Sequence, residues 1–408
     1  MSGRLHFVRP RRIRRGAALT LVFASVLGTG AAAGTWHDEG PEGAEQRIPV
    51  RTVADGREAA DGTADRKAVE EAAVKALKAG KSGSQAAADV VSRSGDRWST
   101  VYTAGEYEDF RRELDGEYVG VGLWLRQGGE GRVQVSRVRP GSPAARAGIA
   151  PGDDLLAVDG SSTRHRPVTD VVARLRGDGR AASKRAGAVP AAPGTPVELK
   201  LRRADRDWTS TLHRARLRAT NVTVERPSAP GGMTRIKVEA FAKGTGEEVR
   251  EAVRSAPPGG ILLDLRGNSG GLVAEAVTAS AAFLDGGLVA TYDVRGSQRA
   301  LYADRGRATK SPLVVLVDGG TMSAGELLAG ALQDRGRAVV IGSPTFGKGS
   351  VQMPSKLADG SVAELTVGHY RTPSGRGVDG RGISPDIPAD DRAESRARTV
   401  MSGLGGGS

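Results

Sequence analysis

The chain has 408 residues without a cysteine, which excludes disulfides, cysteine-ligated zinc and a thiol nucleophile. Its formal net charge is +12, but beyond residue 16 the basic residues are interspersed with acids and lack neighbouring aromatics, so nucleic acid is not an expected partner. The five histidines are scattered without paired ligand spacing, so neither a metal site nor a histidine-based triad is expected, and hydrolytic chemistry would need another base.

The N-terminal segment, residues 1–35, has the pattern of an export signal. Six arginines precede residue 16, and an uncharged stretch continues to residue 34. A basic region before an apolar region is typical of export. The stretch is nearly long enough to span a bilayer and ends in the cleavage-like "AAA" at 31–33, so a single-pass membrane anchor and a cleaved signal peptide both stay open. Both predict an exported protein, held at the outer face of the cytoplasmic membrane or secreted.

A chain of this length is expected to divide into two or three domains, because one hydrophobic core seldom grows beyond about 250 to 300 residues. Polar, Gly-rich sequence predicts a linker, and "RKAVEEAAVKALKAGKSG" places apolar residues at helical spacing. The predicted segments are, in order, a linker at 36–64, a helical segment at 65–116, a β-rich segment at 117–205, an α/β segment at 206–390 and a flexible tail at 391–408.

The two long segments determine the predicted fold class. In the β-rich segment, short runs such as "YVGVGLWL" and "PVELKLRR" are separated by turn residues and by the short Ala-rich helix of "PGSPAARAGIAPGDDLL". In the α/β segment, strand-like runs such as "GGILLDLRGN" and "PLVVLVDGG" alternate with helical patterns. This alternation predicts an α/β layer with crossover connections, joined to the smaller β-rich domain.

A lysine between two glycines, Lys348, lies in "GSPTFGKGS", a near match to the phosphate-binding motif G-x-x-x-x-G-K-[ST]. Gly349 stands where that motif needs the hydroxyl that binds magnesium. The following "SVQMPSKLADGSVAELTV" is typical of a strand and a turn, whereas the motif needs a helix. A nucleotide-hydrolysing enzyme is therefore disfavoured, and no nucleotide is expected as a cofactor.

A candidate nucleophile, Ser323, lies at the junction of a predicted strand, turn and helix in "LVVLVDGGTMSAGELLAGALQD". Amides and the dipole at a helix N-terminus stabilise a developing oxyanion, and the N–H of Ala324 is a natural donor. The same residues also fit a capping box, in which Ser323 caps the helix and Glu326 returns the hydrogen bond. The pattern leaves both interpretations open.

Lys348 is the candidate base for Ser323. A lysine accepts a proton only when neutral, and burial can lower its ordinary pKa of about 10.4 by about 3 to 5 units. None of the residues 342–355 is acidic, so no neighbour in sequence keeps Lys348 charged. On an extended segment Lys348, Ser350 and Gln352 share one face. Gln352 is then either an orienting partner for Lys348 or a half-exposed strand residue, and Ser350 is a rival nucleophile that no helix follows.

A Gly-rich turn ends the hydrophobic run of "ILLDLRGNSGG", residues 261–271. Such a turn exposes backbone N–H groups at the end of a strand, so Gly270 is a candidate second donor to an oxyanion. Asp264 and Arg266 in the same stretch are predicted to form a structural ion pair.

Taken together, "DLRGNSGG", "GTMSAGELLAGALQDRGRAVVIGSPTFGKGSVQ" and "GRGISPDI" resemble the C-terminal processing peptidases, which are Ser/Lys peptidases with an embedded PDZ domain. The resemblance extends upstream through "DRWSTVYTAGEYEDFRRELDGEYVGVGL" and the PDZ-like "SPAARAGIAPGDDLL", and it covers about residues 60–390. It implies a PDZ domain at 117–205, inserted in a crotonase-like α/β protease core that begins with the small helical segment.

The resemblance also implies a role for each matching residue. Ser323 would be the nucleophile, Lys348 the general base and Gln352 its orienting partner, and Gly270 and Ala324 would form the oxyanion hole. Backbone amides of the "GVGL" loop would hold the terminal carboxylate of a substrate, while the peptide adds as a strand to an edge of the PDZ sheet. The residues of this loop are Gly120, Val121, Gly122 and Leu123.

A few residues depart from the usual family pattern. Gly325 replaces a serine, Met322 a small residue and Ser269 a frequent proline, but none of these changes removes a catalytic group. An Ala/Arg-rich insertion at 181–193 is expected to lengthen a surface loop of the PDZ domain.

The sequence therefore predicts an exported serine endopeptidase that binds exposed protein C-termini through its PDZ domain and cleaves nearby peptide bonds, without metal or cofactor. The alternative is a PDZ-bearing scaffold whose protease-like domain is inactive; the presence of Ser323, Lys348 and Gln352 together favours the enzyme. The expected partners are protein or peptide substrates and, through a retained anchor, the membrane. A homo-oligomer is compatible with the sequence, which does not specify the oligomeric state.

Overall fold

The computed structural model describes residues 63–177, 192–228, 231–294, 297–306, 308–390 and 392–405. The predicted export signal, nearly all of the predicted linker and most of the predicted insertion lie outside these ranges. None of the helices within them is both long and apolar enough to cross a bilayer.

The helices are short and several begin at polar caps; Thr103 and Glu106, for example, form a capping box at the start of the third. They are α1 Arg66–Lys78, α2 Gly83–Arg93, α3 Ala104–Leu114, α4 Pro143–Arg146, α5 Val168–Arg176, α6 Thr245–Arg254, α7 Val273–Ser280, α8 Ala324–Asp334 and α9 Ala393–Gly405.

The strands follow the hydrophobic runs of the sequence. They are β1 Thr100–Tyr102, β2 Glu117–Gly120, β3 Leu123–Gln127, β4 Val133–Val138, β5 Asp154–Val158, β6 Ser161–Ser162, β7 Pro196–Arg203, β8 Arg206–His213, β9 Ala215–Arg218, β10 Val222–Glu225, β11 Thr234–Val238, β12 Ile261–Asp264, β13 Leu288–Val294, β14 Ser297–Tyr302, β15 Leu313–Val317, β16 Val339–Gly342, β17 Ser350–Lys356, β18 Val362–Arg371 and β19 Ile387–Pro388.

A parallel sheet in the order β11-β12-β15-β16-β19, with β10 antiparallel at one edge, forms the centre of the C-terminal half. Every residue of β12 and β15 is buried, as expected for strands covered on both faces. Leu263 and Val315 pack in the core that includes α6, α7 and α8, whereas Leu262 and Val314 pack against α9 on the other face. The predicted α/β layer is therefore confirmed.

The parallel arrangement decides where the site lies. In a parallel sheet the carboxyl ends of the strands meet at one edge, and loops from that edge form the usual binding crevice. The loops that follow β12, β15 and β16 carry Gly270, Ser323 and Lys348 respectively. Three segments that are far apart in sequence thus converge at this edge.

A second, antiparallel sheet lies alongside, in the order β1-β18-β13-β14, with β17 also paired to β18. The N-terminal helices α1 and α2 cover part of it: Val69 and Val91 pack with Ala363 and Leu365 in a separate hydrophobic cluster. Strand β1, which follows α2, pairs directly with β18. The N-terminal helical segment is therefore built into the protease-like core rather than attached to it as a separate domain.

The β-rich domain has the sheet order β3-β4-β5-β7-β8, with the short β6 paired to β5 and its own hydrophobic core. Helix α5 contributes Val171 and Leu175 to that core. The domain is inserted between β2 and β9, which pair antiparallel with each other. Its sheet continues past residue 205, where the sequence placed the boundary, because β8 forms a full hairpin with β7.

Gly342 ends β16 with φ of 140°, and a Cβ there would lie 1.9 Å from the carbonyl oxygen of Val317 on β15. We therefore expect Gly342→Ala to lower the free energy of unfolding by about 3 kcal/mol, from a strained backbone and a clash with main chain that cannot move aside. Urea unfolding measures this loss. Gly336→Ala is the control, since Gly336 also has positive φ (60°) but open space around its Cα, and it should lose only about 1 kcal/mol. Equal losses in the two variants would contradict the steric explanation.

Candidate active site

Ser323 is the N-cap residue that precedes α8, and its backbone is strained, with φ of 52° and ψ of −115°. A non-glycine residue with positive φ is uncommon and marks either strain or function, and an ordinary helix cap has extended dihedral angles instead. The side chain is fully buried. Glu326 returns the hydrogen bond predicted for a capping box, since the N–H of Ser323 donates to Glu326 Oε2 at 2.8 Å. The capping interaction therefore coexists with a backbone geometry that ordinary capping does not require.

The carboxylate of Glu326 joins the loop of Ser323 to the loop of Lys348. Its Oε2 accepts from the backbone N–H of Ser323 and of Lys348, each at 2.8 Å, and its Oε1 accepts from the N–H of Gly347 at 2.7 Å and the hydroxyl of Thr345 at 2.5 Å. The backbone nitrogens of Ser323 and Lys348, which share Oε2, therefore lie no farther apart than twice 2.8 Å. Burial raises the pKa of Glu326, although the four donors act in the opposite direction.

A second link between the two loops comes from Tyr370 on β18. Its hydroxyl lies 2.9 Å from the carbonyl oxygen of Ser323 and 3.0 Å from that of Lys348, so its one proton is shared between these two acceptors. The side chain is fully buried, which raises the pKa of the phenol well above its ordinary value. The hydroxyl thus keeps its proton and serves as a fixed donor.

Lys348 is fully buried, and burial lowers the pKa of its amine from 10.5 to about 8. The indole of Trp98 covers the amine, with the ring centroid 5.6 Å from Nζ. Trp98 is held in turn by a hydrogen bond from Nε1 to Asp379 Oδ1 at 3.0 Å and by a tilted contact with the ring of Phe346. A lysine with this pKa is neutral in an appreciable fraction of molecules at mildly alkaline pH, as a general base requires.

The sequence next to Lys348 contains no acid, as predicted, but carboxylates from other parts of the chain act on its amine. The carboxylates of Glu364, Asp379 and Glu326 all raise the pKa of the amine and oppose the effect of burial. Glu364 has the largest effect of the three; it lies on β18, which pairs with the strand that follows Lys348. The pairing of β17 with β18, which local sequence does not reveal, accounts for the charge of Glu364.

Gln352 is fully buried on β17, so the alternative of a half-exposed strand residue is wrong. Its Nε2 donates to the hydroxyl of Ser350 at 2.6 Å and lies 3.5 Å from that of Thr366. Its Oε1 accepts no hydrogen bond from the residues that the structure describes. Gln352 therefore lies on the strand directly after the base with one unused acceptor, and its role as the orienting partner of Lys348 stays a prediction.

Gly270 lies directly against Ser323. With φ of 85°, a Cβ at this position would be 2.9 Å from the Cβ of Ser323 and 3.5 Å from the backbone nitrogen of Ala324. The N–H of Gly270 donates to Asn268 Oδ1 at 2.9 Å in this arrangement, so it would have to exchange that acceptor for an oxyanion. Ala324 is the first residue of α8, where a backbone N–H has no acceptor within its own helix. The predicted oxyanion hole thus has one donor, the N–H of Ala324, at the start of α8. The second, the N–H of Gly270, must first leave Asn268 Oδ1.

The predicted carboxylate-binding loop connects β2 to β3 within the PDZ-like domain. The carbonyl oxygen of Val121 accepts from the N–H of Ala144 at 3.0 Å, and that of Gly122 accepts from the N–H of Arg139 at 2.9 Å, which fastens the loop to the start of α4. Strand β3 is an edge strand of its sheet. A peptide could therefore extend the sheet beside this loop, although the contacts of Gly120, Val121, Gly122 and Leu123 with a substrate stay a prediction.

Four contributors to the site are not predicted by the sequence: Trp98, Glu364 and Tyr370 belong to no local catalytic motif, and Glu326 is predicted only as part of a helix cap. The predicted ion pair of Asp264 and Arg266 is confirmed, with Arg235 as an additional partner of the carboxylate. No group of three or more metal-ligating side chains occurs in the described part of the chain.

The fold and the site together define a PDZ-bearing α/β protein with a buried serine and lysine at the edge of its parallel sheet. Residues 232–389 match Peptidase family S41, and residues 134–182 match the PDZ domain. These two matches confirm the predicted resemblance: the chain contains a region similar to Peptidase family S41 and a PDZ domain.

Relatives with curated names agree with this assignment. The chain is 34% identical over 311 residues to carboxyl-terminal-processing peptidase 2, chloroplastic, of Arabidopsis thaliana, covering 72% of this chain and 58% of the relative. It is 32% identical over 300 residues to the carboxy-terminal processing protease CtpA of Bacillus subtilis, covering 72% and 61%. The chain thus spans about three fifths of the length of these relatives. Among solved structures it is similar to a photosystem II D1 C-terminal processing protease, with 28% identity, a TM-score of 0.47 and coverage of 76% of this chain and 82% of that one.

Replacing Glu326 by glutamine should weaken the connection between the two loops, because an amide cannot accept all four hydrogen bonds. We expect Glu326→Gln to lose about 2 to 4 kcal/mol of unfolding free energy, as at least one buried donor loses its acceptor, and to slow the reaction of Ser323 with an organophosphonate. Urea unfolding and mass spectrometry measure the two effects.

Glu275→Gln is the matched control, since Glu275 also accepts two backbone N–H groups, from Gly244 and Gly246. It should lose comparable stability without slowing the reaction of Ser323. If both variants react equally slowly, general destabilisation explains the result.

Removing the indole of Trp98 should raise the pKa of Lys348. Water then reaches the amine, and the lost desolvation outweighs the lost cation–π attraction, which is weak at 5.6 Å from the ring centroid. We expect Trp98→Ala to move the lysine pKa upward from about 8, and Trp98→Phe to move it less, as followed by NMR titration of isotope-labelled lysine. A pKa that falls in Trp98→Ala would mean that the indole does not act by excluding water.

Proposed function

We propose that this chain is a serine endopeptidase that engages the C-termini of proteins through its PDZ domain and hydrolyses nearby peptide bonds with Ser323 and Lys348. The observation that carries the proposal is the shared carboxylate of Glu326, which brings the strained Ser323 and the buried Lys348 to the same sheet edge. The lowered pKa of Lys348 supports its use as a base. The printed names of the relatives, carboxyl-terminal-processing peptidases, support the reaction class.

In the proposed mechanism, neutral Lys348 accepts the proton of the Ser323 hydroxyl as Oγ forms a bond to the scissile carbonyl carbon. The oxyanion takes a hydrogen bond from Ala324, and from Gly270 once that amide releases Asn268. The carbon–nitrogen bond then breaks, and Lys348 passes its proton to the departing amine. A water molecule next attacks the acyl-enzyme and gives a proton to Lys348, which returns it to Ser323 Oγ as the acid is released.

The substrate class follows from the PDZ domain. Its free edge strand β3 and the adjoining loop have the arrangement in which an extended peptide adds to a sheet by main-chain hydrogen bonds, while backbone amides hold its terminal carboxylate. The expected substrates are therefore proteins with exposed, flexible C-termini. No cofactor is part of the proposal.

Export is the proposed route to these substrates, because the basic and then apolar pattern of residues 1–34 is typical of export. Either a cleaved signal peptide or a retained single-pass anchor is compatible with this pattern. The predicted location is the outer face of the cytoplasmic membrane or the secreted fraction.

One observation favours the alternative of an inactive scaffold: the N–H of Gly270 is already used by Asn268. Incubation of the full chain with an unstructured protein at pH 9 separates the two functions. We expect the parent to cleave it, and Ser323→Ala and Lys348→Ala each to lose activity by on the order of 10³-fold or more. Lys356→Ala, which removes an exposed lysine of β17, is the control and should retain activity.

The pH dependence should follow from the base. Because only neutral Lys348 can accept the serine proton, kcat of the parent is expected to rise with pH and to level off above about 8. Cleavage that survives in both Ser323→Ala and Lys348→Ala would overturn the assignment of the pair, and a parent without activity across this range would favour the scaffold.

A further inference from the structure

A buried carboxylate with no assigned role lies on β18, the strand that pairs with β17 directly after the proposed base. Glu364 on β18 is fully buried, and neither of its carboxylate oxygens has a hydrogen-bond partner among the described residues. Its cross-strand neighbours are Thr100 on β1 and Pro354 on β17, neither of which carries a charge. Burying a carboxylate without donors is costly, so an unpartnered one in a well-packed core calls for an explanation.

The titratable groups that act on Glu364 come from three elements. Tyr102 at the end of β1 and Tyr107 on α3 lie on one side; the Tyr107 phenol lowers the pKa of Glu364 but does not reach hydrogen-bond geometry. Burial raises the pKa of both tyrosines to about 12, so neither carries a charge near neutral pH. The charged group that acts on Glu364 is Lys348, from the loop before β17.

The relation between the two groups is mutual. Among the carboxylates that raise the pKa of Lys348, Glu364 acts more strongly than Asp379 and Glu326. Asp379 is partly exposed and accepts a hydrogen bond from Trp98. Glu326 already accepts four hydrogen bonds, so both carboxylates are stabilised by donors other than Lys348 Nζ. Glu364, by contrast, accepts none from the described residues.

We propose that Glu364 is a positioning residue that acts through Lys348: its buried charge holds the proton on the amine and so sets the pH above which the base is available. The inference rests on the proposed function of Lys348 as the base. Burial alone would make Lys348 a neutral amine at lower pH, and Glu364 opposes this from the neighbouring strand. The site is thereby kept from accepting the serine proton until the surroundings are neutral to alkaline.

Glu364→Gln tests the proposal, because it removes the charge while keeping nearly the same shape. We expect the midpoint of the acid limb of the kcat profile to move to lower pH by up to about one unit, with the excess activity of the variant concentrated between about pH 7, where Glu364 ionises in the parent, and about pH 8. Above the limb the two should be equal. A limb that stays in place, or moves to higher pH, would overturn the inference.

Glu70→Gln is the matched control. Glu70 is a carboxylate near the same sheet, where it accepts a hydrogen bond from Ser355 of β17, but it is partly exposed and does not act on Lys348. Its variant should have the acid limb of the parent. An equal shift in both variants would show a general effect of net charge and would count against Glu364.

A direct titration keeps the inference separate from the proposed function. The pKa of Lys348 can be followed by NMR in protein with isotope-labelled lysine, with the resonance assigned by its loss in Lys348→Arg. It should fall in Glu364→Gln and not in Glu70→Gln. An unchanged pKa would sink the inference even in an active protease, whereas a lowered pKa in a protein without cleavage would sink the proposed function and leave the coupling of the two charges in place.

Folding of the variant can be checked by its pH dependence. Burial raises the pKa of Glu364 from 4.5 to about 7, so the native protein loses stability as pH rises through this range, relative to a glutamine at the same position. Glu364→Gln should therefore match or exceed the Tm of the parent at pH 8. If the glutamine variant does not fold, Glu364→Met offers the same removal of charge for both measurements.

Discussion

The arrangement of the site depends on one buried carboxylate. Glu326 belongs to the first turn of the helix that Ser323 begins, yet two of its four donors are backbone N–H groups of the loop that carries Lys348. These bonds replace the water that a carboxylate loses on burial, and each is of the stronger, charge-assisted kind. A glutamate that would elsewhere only cap the start of a helix thus fixes the relative position of two loops that follow different strands.

The same region shows how opposing effects set the chemistry of a single amine. Burial under Trp98 lowers the pKa of Lys348, and three carboxylates raise it. The effect of burial is the larger one, so the pKa is about 8. A buried site without carboxylates would make the amine neutral at lower pH. A site in which a carboxylate bonded directly to the amine would keep it charged as an ion pair. Two of the groups that set this pKa, Glu364 of β18 and Trp98 of the N-terminal helical segment, come from parts of the chain that contain neither Ser323 nor Lys348.

The sequence was most informative where chemistry is local. Ser323 could be found because a strand, a turn and a helix follow one another around it, and the alternation of β12, β15 and β16 with helices predicted the layer. The resemblance then supplied the pairing with Lys348. The surroundings of the lysine could not be predicted, because Glu364 comes from β18, and the register in which β18 pairs with β17 is set by packing of the whole sheet. For the same reason the PDZ-like sheet extended past its expected end.

The pairing of β2 with β9 has a mechanical consequence. The inserted domain enters and leaves the core through adjacent strands, so its two chain connections lie side by side in one two-stranded clasp. Only Val121 and Gly122 separate this clasp from the edge strand β3. A force on β3 is therefore transmitted almost directly to the pair of β2 and β9. From β2 it passes to α3, which ends three residues before β2 begins and carries Tyr107 beside Glu364.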